Sequence, residues 1–114
     1  MQYLLLIYED ETRWTKMSKA NQDGELAGYR AFGQRFAGAI MGGNALQPTG
    51  TAATVRVRDG KRLMSDGPFA ETKEQLGGYY LVDARDLDEA ISMAESIPGG
   101  ASGSIEIRPI MKFN

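Results

Sequence analysis

The chain of 114 residues contains no cysteine and no histidine. Without cysteine it forms no disulfide, offers no thiol nucleophile and cannot build an iron–sulfur cluster or a thiolate zinc site. Without histidine it lacks the usual general base near neutral pH and the commonest metal ligand. Ser-His-Asp and Cys-His mechanisms are thereby excluded, so any proton transfer falls to a carboxylate, a Tyr or a Lys with a displaced pKa. A metal would have to be one held by oxygen, such as magnesium or calcium; no metal site and no cofactor are expected. No apolar run approaches the ~18 residues of a membrane span. The longest, Tyr3 to Tyr8, begins near Met1 without a basic lead, which does not fit a secretion signal. The expectation is a cytoplasmic protein with no membrane partner. An excess of positive charge is missing too. Thirteen Lys and Arg against fifteen Asp and Glu give −2, so the basic field that draws nucleic acid is absent and none is expected as a partner.

What is present suffices for a core. The composition is 42% hydrophobic and 25% charged, with one Trp, five Tyr and four Phe, and the length suits one domain over residues 1–114. Tyr3-Leu4-Leu5-Leu6-Ile7-Tyr8 has the length and continuity of a central strand apolar on both faces. Ser18 is placed to cap a helix starting near Lys19. Leu26, Tyr29, Phe32, Phe36 and Ile40 recur at helical spacing, and Gly42-Gly43-Asn44 reads as the helix stop. Thr54-Val55-Arg56-Val57-Arg58 alternates with period two, and Asp59-Gly60 signals a tight hairpin that returns over Lys61 to Ser65. After a loop at Asp66-Gly67-Pro68-Phe69, the run Glu71 to Glu74 fits a short helical turn, and Gly77 to Asp83 reads as an inner strand. Asp86-Leu87-Asp88-Glu89 has the form of a capping box. Leu87, Ala90, Ile91, Ala94 and Ile97 follow at helical spacing, Pro98-Gly99-Gly100 ends that helix, and Ser104 to Arg108 alternates as a last strand.

Strand, helix, hairpin, strand, helix, strand predicts an α+β fold: a ferredoxin-like antiparallel sheet with an inserted β-hairpin and two helices on one face. A single helical layer leaves the other face uncovered. The two-sided apolarity of Tyr3 to Tyr8 therefore predicts a homodimer packed sheet against sheet.

The run Asp66-Gly67-Pro68-Phe69-Ala70-Glu71-Thr72-Lys73-Glu74-Gln75-Leu76-Gly77-Gly78-Tyr79-Tyr80 resembles the DGPF branch of the YCII-related family. Tyr3 to Tyr8, Leu46-Gln47-Pro48, Thr54 to Gly60, Asp86 to Ala90 and Ile105 to Met111 extend the resemblance over almost the whole chain. It implies a dimeric α/β-barrel of ferredoxin-like subunits, in a family whose members are often encoded beside extracytoplasmic-function sigma factors, which makes such a sigma factor a candidate partner. It implies no established reaction. Many YCII-type relatives place a His and an Asp in a cleft between helix and sheet; with no His here, only Asp66 of the DGPF loop carries over.

Candidate site residues follow from both readings. Asp66 is either a general base, for a lyase or isomerase moving a proton beside a carbonyl, or a turn cap accepting backbone N–H groups. Glu71 and Lys73 beside the loop form either a binding pair for a polar ligand or a solvated surface. Arg56, Arg58, Arg62 and Arg108 form an anion site if the hairpin lies near the last strand, and otherwise pair with acids such as Glu106. Tyr8 and Tyr79 line a pocket or an interface, and Phe69 reads as an apolar plug for its loop. The function expected is binding of a small molecule or a protein partner.

Overall fold

The uninterrupted apolar run near the N-terminus forms β1 (Gln2–Glu9), which lies inside a four-stranded sheet. The computed structural model describes residues 1–113. β1 pairs antiparallel with β5 (Gln75–Asp83) on one side and with β6 (Ser104–Pro109) on the other. β2 (Ile40–Ala45) pairs antiparallel with the far side of β5, so the order is β2-β5-β1-β6. The sheet does not close into a barrel, and Pro109 sits on an edge strand, where its missing N–H costs no ladder bond.

Successive side chains of a strand point to opposite faces, and β1 displays the consequence. Tyr3, Leu5 and Ile7 are buried, whereas Leu4, Leu6 and Tyr8 are half-buried. The buried set meets the helical layer. α1 (Thr12–Lys16) leads into α2 (Lys19–Arg35), whose first turn is held by the Ser18 hydroxyl accepting the Asn21 amide at 3.1 Å. α3 (Leu87–Glu95) starts where the Asp86 carboxylate accepts the Glu89 amide at 2.9 Å. Both caps satisfy amides that a helix start otherwise leaves unpaired. Phe32 of α2 and Ala90 and Met93 of α3 close over Tyr3, Leu5, Ile7 and Val82 in one core, together with Ile97. The Phe32 ring lies 4.8 Å from that of Tyr80 in a tilted pair. No helix among the described residues is long and apolar enough to cross a membrane.

Three segments depart from the sequence expectation. The helical spacing through Ile40 predicts one long helix, but α2 ends at Arg35 and Ile40 opens β2. Ile40 packs on the core from the strand instead, so a helical period and a strand claim the same residue. Gly42 and Gly43 are strand residues, not a helix stop. A Cβ on Gly43 would lie 2.7 Å from the Tyr79 carbonyl oxygen, and its absence lets β2 approach β5. Secondly, α3 ends at Glu95 and Gly99–Ser102 forms a further turn, α4, entered through Pro98 in helical backbone with φ of −54° and ψ of −35°, as proline at a helix start allows. Thirdly, the run Glu71 to Glu74 forms bends and no helix; its backbone is drawn into a Thr72 hydroxyl to Glu74 carbonyl bond of 2.6 Å.

β3 (Ala53–Arg58) and β4 (Lys61–Asp66) make a separate two-stranded sheet. Asp59 and Gly60, with φ of 52° and 72°, supply the two left-handed residues that a two-residue hairpin turn requires. The Cα radius of gyration is 16.2 Å, against about 13 Å for a compact chain of this length. Replacing the fully buried Leu5 by Ala removes core volume that its neighbours cannot refill, and the expected loss is about 2–5 kcal/mol. Urea unfolding checks it: the midpoint falls while the slope stays unchanged.

Candidate functional site

The half-buried face of the sheet has an apolar centre and a polar border. Leu4 stands opposite Leu81, Leu6 opposite Tyr79, and Tyr8 opposite Leu76 past a bulge. The molecule measures only 19 Å along its thinnest axis, which accommodates one helical layer on one sheet and nothing beyond the second face. At the β2 border the Asn44 side-chain amide donates to the Tyr79 hydroxyl at 2.9 Å. At the β6 border, Arg108, Glu106 and Ser104 stand opposite Leu4, Leu6 and Tyr8. Arg108 pairs with Glu106 at 3.1 Å in the open, and the Ser104 hydroxyl donates to Glu74 at 2.8 Å. Tyr8, Tyr79 and Arg108 thus share one surface.

The remaining candidates lie elsewhere. Asp66 ends β4, and among the described residues no group hydrogen bonds to its carboxylate. The turn after it is held without that carboxylate: Gly67, with φ of 87°, donates its amide to Ala52 at 2.7 Å and accepts the Thr54 hydroxyl at 2.9 Å. Phe69 is 78% exposed. It therefore stands in solvent and does not plug its loop. Glu71 helps line a cleft of about 310 Å³ with Thr49, Pro68, Thr72 and Gln75. The walls of this cleft are tied by Glu11, whose carboxylate accepts the Thr49 amide at 3.0 Å and the Thr49 hydroxyl at 2.5 Å. The Gln75 side chain completes the tie by accepting the Glu11 amide at 3.0 Å and donating to the Thr72 carbonyl at 2.5 Å. Lys73 is exposed. Arg56 and Arg58 stay on the hairpin, Arg58 donating to the Val57 carbonyl at 3.1 Å. The hairpin and β6 belong to different sheets, so these arginines do not join Arg108 within one chain.

A charged cluster beside the sheet was not singled out by the sequence. Arg13 Nη2 donates to Glu9 at 2.6 Å and to Glu25 at 2.7 Å, with the three side chains 30%, 20% and 13% exposed. Ser102 donates to Glu9 at 3.3 Å. A Cβ on Gly99 would fall 2.5 Å from a Glu9 carboxylate oxygen and 2.9 Å from the Tyr29 hydroxyl, so any larger residue there would push these side chains out of their present contacts. Burial first, and then the charges of Glu9 and Glu25, hold the Tyr29 pKa well above the ordinary tyrosine range. The hydrogen bonds to Glu9 and Glu25 raise that of the Arg13 guanidinium. The available signals were the spacing of four from Glu9 to Arg13 and from Glu25 to Tyr29. The first crosses the end of β1, where neither strand nor helix periodicity applies. The cluster joins β1, α1, α2 and α4. Among the described residues no group of three or more carboxylates is placed to hold a metal ion.

Removing Arg13 would leave two poorly solvated carboxylates facing each other. Arg13→Met is expected to lower stability by about 1–3 kcal/mol, the partial exposure keeping the loss below that of a fully buried pair. Chemical denaturation at neutral pH measures it. For Tyr29 the folded pKa exceeds the unfolded value of 10.0. Its contribution is therefore complete below pH 10 and lost as pH rises beyond it, because the unfolded chain releases that proton first. Denaturation midpoints between pH 8 and 11 should fall above pH 10, and Tyr29→Phe should flatten that fall.

A family model described as the YCII-related domain matches residues 1–114. The chain is also similar to an uncharacterized protein of Rhizobium meliloti (strain 1021), with 39% identity over 117 residues, covering 99% of this chain and 94% of the relative.

Proposed function

Because the chain belongs to the YCII-related family, a membership that leaves its activity open, we propose that it works as a homodimer that binds a small molecule between two facing sheets. Each subunit is read as ferredoxin-like, from the strand order β2-β5-β1-β6 with the helices on one face, and the pair as a dimeric α/β-barrel. The observation that carries the reading is the open face. Leu4, Leu6 and Leu81 form an apolar floor with no cover of their own, and burying a leucine against a partner is worth about 1.5–3 kcal/mol. The ligand that suits such a space is small and largely apolar, with a polar group within reach of Tyr8, Tyr79 or Arg108. The Asp66-to-Phe69 loop supports the DGPF branch, and through that branch a cytoplasmic role linked to a sigma factor. Asp66, Phe69, Glu71 and Lys73 belong, in this reading, to the loop that borders the partner. The lyase or isomerase alternative needs a second proton-handling group beside Asp66, and among the described residues no side chain hydrogen bonds to its carboxylate.

Size-exclusion chromatography with light scattering tests the reading. The expected mass is twice the 12.5 kDa of one chain, and Leu6→Arg combined with Leu81→Arg should return it to one. A wild-type protein that elutes at the single-chain mass across the micromolar range overturns the proposal. Native mass spectrometry of the dimer then looks for a retained small molecule, expected in the wild type and lost on Tyr79→Ala.

A further inference from the structure

The hairpin has no core of its own. Val55 and Val57 are 57% and 63% exposed, and Leu63 and Met64 are 50% and 58% exposed. The register sets Val55 beside Met64 and Leu63 beside Arg56, so aliphatic groups stand in solvent on both faces of the ribbon. Phe69 beyond its base continues this exposed apolar surface. An isolated two-stranded ribbon is marginal in water at best, and exposed aliphatic groups at this density mark a contact surface. Neither strand joins the four-stranded sheet, and their side chains are exposed except for a half-buried Thr54.

Charge indicates what fits. Arg56, Arg58, Lys61 and Arg62 against Asp59 and Asp66 leave residues 53–66 at +2, and since the whole chain carries −2, the rest of it carries −4. A basic arm on an acidic body is complementary to a second copy of itself, and a two-fold arrangement uses that match twice. Resting on the homodimer reading above, we infer that the β3–β4 hairpin is an arm that crosses to the second copy and lies on its body, where Val55, Val57 and Met64, which share one face of the ribbon, become buried. A polyanion would also attract the arginines. The four aliphatic groups interleaved with them favour a protein surface over a phosphate backbone.

Sedimentation velocity over a concentration series, with amide hydrogen exchange of residues 53–66 above and below the dissociation point, tests the inference on the full chain. The wild type is expected to associate, with arm amides protected only in the associated form. Val55→Ser combined with Met64→Ser should weaken association at least tenfold with the far-UV circular dichroism retained. Arg56→Gln combined with Arg62→Gln, which leaves the aliphatic groups in place, should weaken it less and reduce its dependence on salt. Wild-type association that the arm variants do not change, with arm amides exchanging freely, overturns the arm while leaving the sheet-to-sheet dimer standing. A wild type that never associates overturns both. Arm protection by a 20-base-pair DNA duplex in 150 mM salt, without protection by self-association, overturns the arm in favour of a nucleic-acid contact.

Discussion

The alternation along β1 governs this molecule. One strand carries apolar side chains on both faces, yet the chain supplies a helical layer for only one of them. Tyr3, Leu5 and Ile7 are sealed under Phe32, Met93 and Ile97, while Leu4, Leu6 and Tyr8 remain half in water. A surface strand that had no partner would gain solubility from polar residues at the second set of positions. Three apolar residues stand there instead, continued by Tyr79 and Leu81 of the neighbouring strand, and the proposed function rests on covering them.

The other features fix that face in place. The Glu9–Arg13–Glu25 bridge locks the end of β1 to α1 and α2 at distances of 2.6 and 2.7 Å, and Gly99 allows α4 to seat against the same carboxylate. Glu11 holds Thr49, and through it the base of the hairpin, against the start of β5. Strand, loop and arm are therefore mechanically joined, and the loop bearing Asp66 and Phe69 is positioned by backbone and threonine hydrogen bonds independent of its own charged groups.

Much of the fold was legible because local chemistry and tertiary packing agreed. Ser18 and Asp86 cap helices where their spacing predicts, and Asp59-Gly60 turns a hairpin because both positions need left-handed backbone. β2 was illegible because its signal is one of permission. Glycines at positions 42 and 43 show no hydrophobic alternation, and their value appears only when the Tyr79 backbone is seen against Gly43. Of the candidate site, Tyr8, Tyr79 and Arg108 fall on one face because strand periodicity is local information. The separation of Arg56 and Arg58 from Arg108 depends on which strands pair, and the Arg13 cluster depends on how four elements meet. Sequence spacing records neither.

The measurement that tests the account most directly is the thermal unfolding midpoint as a function of protein concentration. If the open face is covered by a second copy, association stabilises only the folded chain, and the midpoint climbs steadily with concentration. A midpoint that stays constant over a hundredfold range would mean that the exposed leucines and tyrosines are tolerated in water by a single chain, which contradicts the account.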